Sequence, residues 1–171
     1  RRPPRSTLSS SSAASDVYKR QDIYSISFLI STLWIGPFWF AMMINPYSEK
    51  TNKLLNKPLF FLGPIIIWFF IMFLNPSGLI DFFNSASHPE GFFVGLAKGL
   101  STKAGVTAMW AHMVAGDIFA TRWIWRDNVK RKNNIWLLRL SVFFGIMLMP
   151  LGVLIHVIFG RKNNHLVTTQ Q

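Results

Sequence analysis

Trp110–Asp127, WAHMVAGDIFATRWIWRD, is the most informative stretch of the chain. It lies within an apolar run long enough to cross a membrane, yet it contains His112, Asp117 and Arg122. An ionisable side chain at the centre of a bilayer costs roughly 2.5–3.5 kcal/mol on insertion scales. Such residues are therefore candidates for function by default, and we expect this helix to carry the site.

The rest of the chain contains three more apolar segments that could cross a bilayer. A helix rises about 1.5 Å per residue, so about 20 residues cross a hydrocarbon core of roughly 30 Å. The predicted fold class is therefore an all-α, four-span transmembrane helical bundle whose partner is membrane lipid. The spans are expected at about 23–44, 58–74, 105–125 and 136–159.

A short interfacial segment is predicted between spans two and three, where residues 79–104 mix aromatic and charged side chains. An amphipathic helix at about 90–100 would lie at the membrane surface, and an ordinary loop is the alternative. The four-helix membrane domain is assigned to residues 22–160, and residues 161–171 form a polar tail.

Residues 1–21 have a serine run and no apolar period. The string DVYKRQ at 16–21 resembles the translated end of a transposase sequencing adapter. We interpret this segment as an adapter artefact. A disordered basic leader that binds acidic lipid or nucleic acid is the alternative. Leaving the segment out lowers the formal net charge from +11 to +7.

Composition and motifs exclude several classes of site. Half of the residues are hydrophobic and the basic residues cluster in short loops, so nucleic acid is not an expected partner. The absence of cysteine excludes disulfides, thiolate metal sites and cysteine nucleophiles. There is no glycine-rich phosphate loop and no compact metal-ligand spacing. We therefore expect no cofactor and no metal.

The orientation in the membrane follows from the distribution of Lys and Arg. The loops after spans one and three, with their flanks, hold nine basic residues, and the other side holds four. The positive-inside rule then places both basic loops inside and both termini outside. Counting the leader would make the two sides equal, so this prediction depends on leaving residues 1–21 out.

Helical geometry tests which polar side chains could meet. His112 and Asp117 are separated by about 140° around a straight helix, so they should not pair directly. If spans three and four are antiparallel neighbours, His112 lies about 10 Å from the outer end and His156 about 5 Å from it. A two-histidine site in the outer half is then a hypothesis. The alternatives are a polar contact that holds two helices together for His112, snorkelling or cytoplasmic anchoring for Arg122, and a solvated end group for His156.

Three strings carry a resemblance to a known family. They are Pro37–Leu54, PFWFAMMINPYSEKTNKL; Gly95–Asp127, GLAKGLSTKAGVTAMWAHMVAGDIFATRWIWRD; and Pro150–Ile158, PLGVLIHVI. With them the chain resembles the neoxanthin-synthase-like family, also called abscisic-acid-deficient-four-like, of small four-span membrane proteins. The residues that fit the family pattern are Trp110, His112, Asp117, Phe119, Ala120, Arg122, Asp127, Pro150, Gly152 and His156.

The resemblance implies a carotenoid substrate in a bacterial inner membrane or a plastid membrane, and another carotenoid or a lipid is the alternative for a bacterial member. In plants the family is tied to forming neoxanthin from violaxanthin, an isomerisation that opens an epoxide and forms an allene without a redox cofactor. That chemistry needs a general base and a general acid, and the catalytic candidates are His112, Asp117 and His156. The candidates for substrate binding are Trp110, Phe119 and Arg122.

Two other functions remain open. One is a non-enzymatic membrane protein that binds a pigment or assists assembly. The other is a small transporter or proton relay that uses Asp117 and His112. The absence of a sequence repeat and the scarcity of polar residues in the other three spans count against transport.

Overall fold

The computed structural model describes residues 23–160, without the side chains of Leu79 and Ala86. Every regular element in that range is helical, which confirms the all-α fold class. The predictions for residues 1–21 and 161–171 fall outside the described residues.

The helices are numbered in chain order from the first described residue. They are α1 (23–34), α2 (Gly36–Ile44), α3 (Glu49–Asn56), α4 (Leu59–Leu74), α5 (Pro76–Asn84), α6 (Phe92–Leu100), α7 (Lys103–Arg131), α8 (Ile135–Met147) and α9 (Met149–Ile155). A 3₁₀ turn, Ser85–Ser87, follows α5, and a π-helical turn, His156–Gly160, continues α9. The helix α6 lies where a short helix was predicted between the second and third apolar segments.

Local sequence explains where these helices begin and end. Ser48 caps α3 by accepting from the amide of Lys50, Thr102 caps α7, and Asn134 caps α8. Short polar side chains at this position satisfy amides that the first turn leaves unpaired. The left-handed Lys132, with φ of 53°, ends α7 and turns the chain towards α8.

Two helices are long and apolar enough to cross a membrane by length and composition, Ile23–Ile44 and Glu49–Leu74. They contain the first and second predicted spans. The helix α7 has 29 residues and contains the third, but it also carries the charged side chains noted above. The helix α8 has only 13 residues, or about 20 Å, which is shorter than the hydrocarbon core of roughly 30 Å.

The prediction of one straight span over 136–159 is wrong, because the chain reverses at Leu148. A Cβ placed on Gly152 would overlap the backbone nitrogen of Gly145. Residues seven positions apart on a continuous helix are separated by about 10 Å, so α9 must fold back against α8. Pro150 lacks the amide needed to continue α8, and the two glycines let the backbones touch.

The reversal also decides where the described ends lie. The side-chain nitrogen of Asn133 donates to the carbonyl of Gly160 over 3.0 Å, and the hydroxyl of Tyr47 donates to the backbone carbonyl of Asn133 over 3.0 Å. This end of the bundle contains α3, the C-terminal end of α7 and Gly160. We call it the basic end. Residue Tyr24 lies at the other end, where its hydroxyl donates to Asn75 over 2.8 Å.

The prediction that both termini share one side of the membrane assumed a straight fourth span. In the structure the two described ends lie at opposite ends of the bundle, Tyr24 near Asn75 and Gly160 near Asn133. The side of a membrane on which each terminus lies stays a prediction.

The helix α7 is the centre of the bundle and packs mainly against α4 and α8. Side chains from α7 and α8 also satisfy carbonyls that the ends of α2 and α3 leave free. Arg122 donates to Leu55 over 2.6 Å, and Arg139 donates to Met43 over 3.0 Å. Exposed carbonyls at a helix end favour such cations. The large apolar side chains that are fully buried among the described residues are Met42, Leu55, Ile71, Ile118, Ile124, Leu138 and Val142.

Candidate functional site

A buried polar cluster lies at the basic end, where the π-helical turn meets α7. The side chain of His156 is fully buried, and its Nε2 lies 3.0 Å from Oδ2 of Asp127. Its Nδ1 lies 2.9 Å from the side-chain nitrogen of Asn128, whose oxygen accepts from Asn133 over 2.8 Å. These residues, with Arg131, form what we call the Asp127–His156 cluster.

The hydrogen bonds assign the tautomer of His156. The side-chain nitrogen of Asn128 donates to the carbonyl of Ile124 over 2.8 Å, which fixes the orientation of that amide. The same nitrogen must therefore donate to Nδ1 of His156, which acts as the acceptor. The ring proton then lies on Nε2 and is donated to Asp127. A histidine held at both nitrogens in this way is well oriented but hard for a ligand to reach.

The part of the cluster that solvent or a ligand can reach is the Asp127–Arg131 pair. Nε of Arg131 donates to Oδ2 of Asp127 over 2.7 Å, and the two side chains are 26% and 20% exposed respectively. Burial alone would raise the pKa of Asp127, but the hydrogen bond and charge of Arg131, together with His156, lower it below its ordinary value. Asp127 is therefore an ionised acceptor next to a cation.

The structure does not bring His112 to His156. His112 is exposed and has no hydrogen-bond or ion-pair partner within residues 23–160. It lies about 22 Å along α7 from Asp127, which is the partner of His156. The hypothesis of a two-histidine site in the outer half is wrong, because the fold-back of α9 carries His156 to the basic end.

Asp117 and His112 lie on different sides of α7, as the helical geometry predicted. The backbone carbonyl of Asp117 accepts from Thr121 over 2.6 Å, and Thr121 packs directly against Gly145 of α8. Asp117, one turn away on the same face, is therefore on the α8 side of the helix. Its side chain is partly buried. The three catalytic candidates thus occupy three separate places.

The candidates for substrate binding also contact other helices. The indole of Trp110 donates to Thr32 over 2.8 Å and stacks on Phe28. The guanidinium of Arg122 lies 5.0 Å from the centre of the Phe60 ring and holds the end of α3. Phe119 packs against α4 and stays 58% exposed, so it is the most accessible of the three.

An uncovered strip of α7 runs between His112 and the Asp127–His156 cluster. Met113 is 43% and Trp123 40% exposed, and a Cβ on Gly116 would meet no atom within 4 Å. The indole of Trp123 contacts the His156 ring edge-on, with centroids 5.0 Å apart. We call the strip of His112, Met113, Gly116, Phe119 and Trp123 the open face of α7.

Sequence reasoning missed the partners of His156. Asp127 was part of the family pattern but was not a site candidate, and Asn128 and Asn133 had no assigned role. The available signal was the sequence around the reversal, where Gly145, Pro150 and Gly152 allow two helices to meet. Among residues 23–160, no group of three or more His, Cys, Asp or Glu side chains could hold a metal ion.

A family model and one curated protein match this chain, and both point to the same family. The model of a family described as ABA DEFICIENT 4-like matches residues 26–156. The protein ABA DEFICIENT 4, chloroplastic, of Arabidopsis thaliana is 27% identical over 139 residues, covering 80% of this chain. The aligned region spans 61% of that relative's length. No solved structure matches the chain.

Proposed function

The chain belongs to the ABA DEFICIENT 4-like family, and on this basis we propose that it is an integral membrane protein of carotenoid metabolism. We further propose that it isomerises an epoxy-carotenoid by acid–base chemistry, without a cofactor. The observation that carries this proposal is the open face of α7, an apolar strip with His112 at one end and the Asp127–Arg131 pair beyond Trp123 at the other.

The surface of the bundle supports a location in lipid. Large apolar side chains are widely exposed, among them Phe73 at 83%, Phe93 at 80% and Trp136 at 72%. Soluble monomers rarely expose large contiguous apolar patches, because water contact with such surface is unfavourable. The two helices that are long and apolar enough to cross a membrane also support a location in lipid. A bilayer is the environment that this surface fits.

The open face fits a long apolar molecule with polar ends. His112 and Asp127 lie about 22 Å apart along α7, and a Cβ on Gly116, one turn from His112, would meet no atom within 4 Å. A polyene dissolved in lipid could lie along this strip and stack on Trp123. A ring hydroxyl at its far end could donate to Asp127, beside Arg131. The other ring would then lie next to His112.

His112 is the acid–base candidate that such a substrate reaches. Opening the epoxide to an allene breaks one C–O and one C–H bond, and the oxygen gains a proton, so the mass is unchanged. The two nitrogens of imidazole can accept the proton from carbon and supply one to oxygen. Asp117 is the second candidate, on the α8 side of the helix. We assign His156 a positioning role through Asp127, because its ring is buried.

We expect His112→Ala to abolish conversion in a bacterial host that accumulates violaxanthin. The full chain with a start Met should give a new pigment of unchanged mass and the spectrum of neoxanthin. Loss of a general acid–base group lowers a rate by about 10²–10⁴. His88→Ala is the matched control, since His88 lies off α7 and contacts Lys98 at 3.4 Å. Pigments are separated by liquid chromatography and identified by mass.

A product formed equally by the wild type and His112→Ala would exclude the role of His112. The absence of any product from well-expressed wild-type protein would exclude violaxanthin isomerisation. The separation of His112 from Asp117 favours a second function in that case, pigment binding without chemistry. Such a protein should still co-purify with a carotenoid, and filling the open face with Gly116→Trp should release it.

A further inference from the structure

A groove opens at the basic end, between α3 and the last turns of α7. Its volume is about 550 Å³, which is within the range of small-molecule sites. It lies on a different face of α7 from the Asp127–His156 cluster. The residues that matter for its chemistry are Tyr47, Glu49, Trp125, Arg126, Val129 and Lys130.

The groove carries an uncompensated positive charge. Glu49 lines it but pairs with Lys53 across 2.7 Å. Within residues 23–160, no acidic side chain pairs with Arg126 or Lys130, and the nearby Asp127 is already bonded to Arg131. Two cations without partners, facing one cavity, favour an anionic ligand.

The surroundings of the groove favour a lipid anion over a soluble one. Trp125 and Val129 give the groove an apolar wall beside the two cations, and Tyr47, another lining residue, is 52% exposed. Ile44, at the end of α2, is 61% exposed. A ligand bound here would place an anionic group at Arg126 and Lys130 and apolar chains along exposed apolar surface. Basic pockets next to membrane helices bind anionic headgroups in this way.

We propose that this groove binds the phosphate headgroup of an anionic membrane lipid, with Arg126 and Lys130 as its ligands. The groove shares no residue with the open face, so the proposal does not depend on the proposed carotenoid chemistry. A bound lipid of this kind would hold α3 against α7 at the membrane surface.

The test is native mass spectrometry of the full chain in detergent with equal amounts of phosphatidylglycerol and phosphatidylcholine. The wild type should retain phosphatidylglycerol preferentially. Arg126→Gln/Lys130→Gln should lower that preference by about tenfold or more, since each basic residue contributes on the order of 1 kcal/mol to such attraction. The control Lys50→Gln/Lys57→Gln removes the same charge from exposed positions at the same end, outside the groove, and should keep the preference.

Two further measurements separate a lipid site from a free-phosphate site and from misfolding of the variants. The charge-conserving Arg126→Lys/Lys130→Arg should retain the preference, and tryptophan fluorescence must show that both groove variants are folded. Soluble glycerol phosphate should not displace the lipid. Equal loss of preference in the control pair would overturn the proposal, as would a wild type that binds both lipids equally. Displacement by glycerol phosphate would show a free-phosphate site instead.

Discussion

Gly152→Ala should destabilise the protein by at least about 3 kcal/mol, because the new methyl group has no space. A Cβ at this position would overlap the backbone nitrogen and Cα of Gly145. Overpacking usually costs about 1–3 kcal/mol, and more when the obstacle is backbone that cannot rotate away. The helices α8 and α9 would have to separate. Thermal unfolding in detergent, followed by tryptophan fluorescence, measures the loss.

The matched control for this prediction is Gly116→Ala on the open face. A Cβ there meets nothing within 4 Å. Alanine favours the helix over glycine by about 1 kcal/mol, so this variant should be equally or more stable than the wild type. If Gly152→Ala were as stable as Gly116→Ala, the tight contact between α8 and α9 could not exist.

His156→Ala should destabilise the protein by about 3 kcal/mol, because it leaves buried polar groups without partners. Asn128 would lose its bond to Nδ1, and Asp127 would lose its bond to Nε2. Removing one member of a buried network costs more than its bonds contribute, since the remaining groups keep the penalty of desolvation. The cavity left by the ring adds to the loss. The same unfolding measurement applies.

His112→Ala is the control for His156→Ala, and its effect should stay within about 0.5 kcal/mol because the side chain is exposed. Asp127→Asn and His156→Ala combined in a double-mutant cycle should show a coupling of about 0.5–3 kcal/mol. Additive effects would mean that the two side chains do not interact. Together these variants separate stability, which depends on His156, from turnover, which we assign to His112.

Much of the fold could be predicted from the sequence, because apolar runs of sufficient length have few alternatives. The runs at 23–44 and 58–74 lie in the two long apolar helices, and 105–125 lies within α7. The fourth run has the same composition, so length and hydropathy predict one more span. They cannot show that Gly145 and Gly152 bring two short helices into contact, since this depends on a reversal between them.

The site could be predicted where it depends on one helix and not where it depends on two. The angle between His112 and Asp117 follows from residue spacing, and their separation is confirmed. The position of His156 depends on the direction of α9, which the spacing does not determine. The sequence predicts snorkelling or anchoring for Arg122 but not its partner, the carbonyl of Leu55 at the end of α3. Such long-range partners appear only in three dimensions.

The fold-back of α9 carries His156 to Asp127 and so builds the far end of the open face. The chain has no native cysteine, so spin labels can be attached to cysteines introduced by Trp136→Cys and Phe159→Cys without other changes. Both positions are exposed. Pulsed electron paramagnetic resonance on the chain in lipid nanodiscs then measures the distance between the two labels. We predict a short distance, set by two adjacent helices whose axes lie about 8–10 Å apart plus the labels. A distance near 35 Å, from a rise of roughly 1.5 Å per residue along one continuous helix, would show that α9 does not fold back.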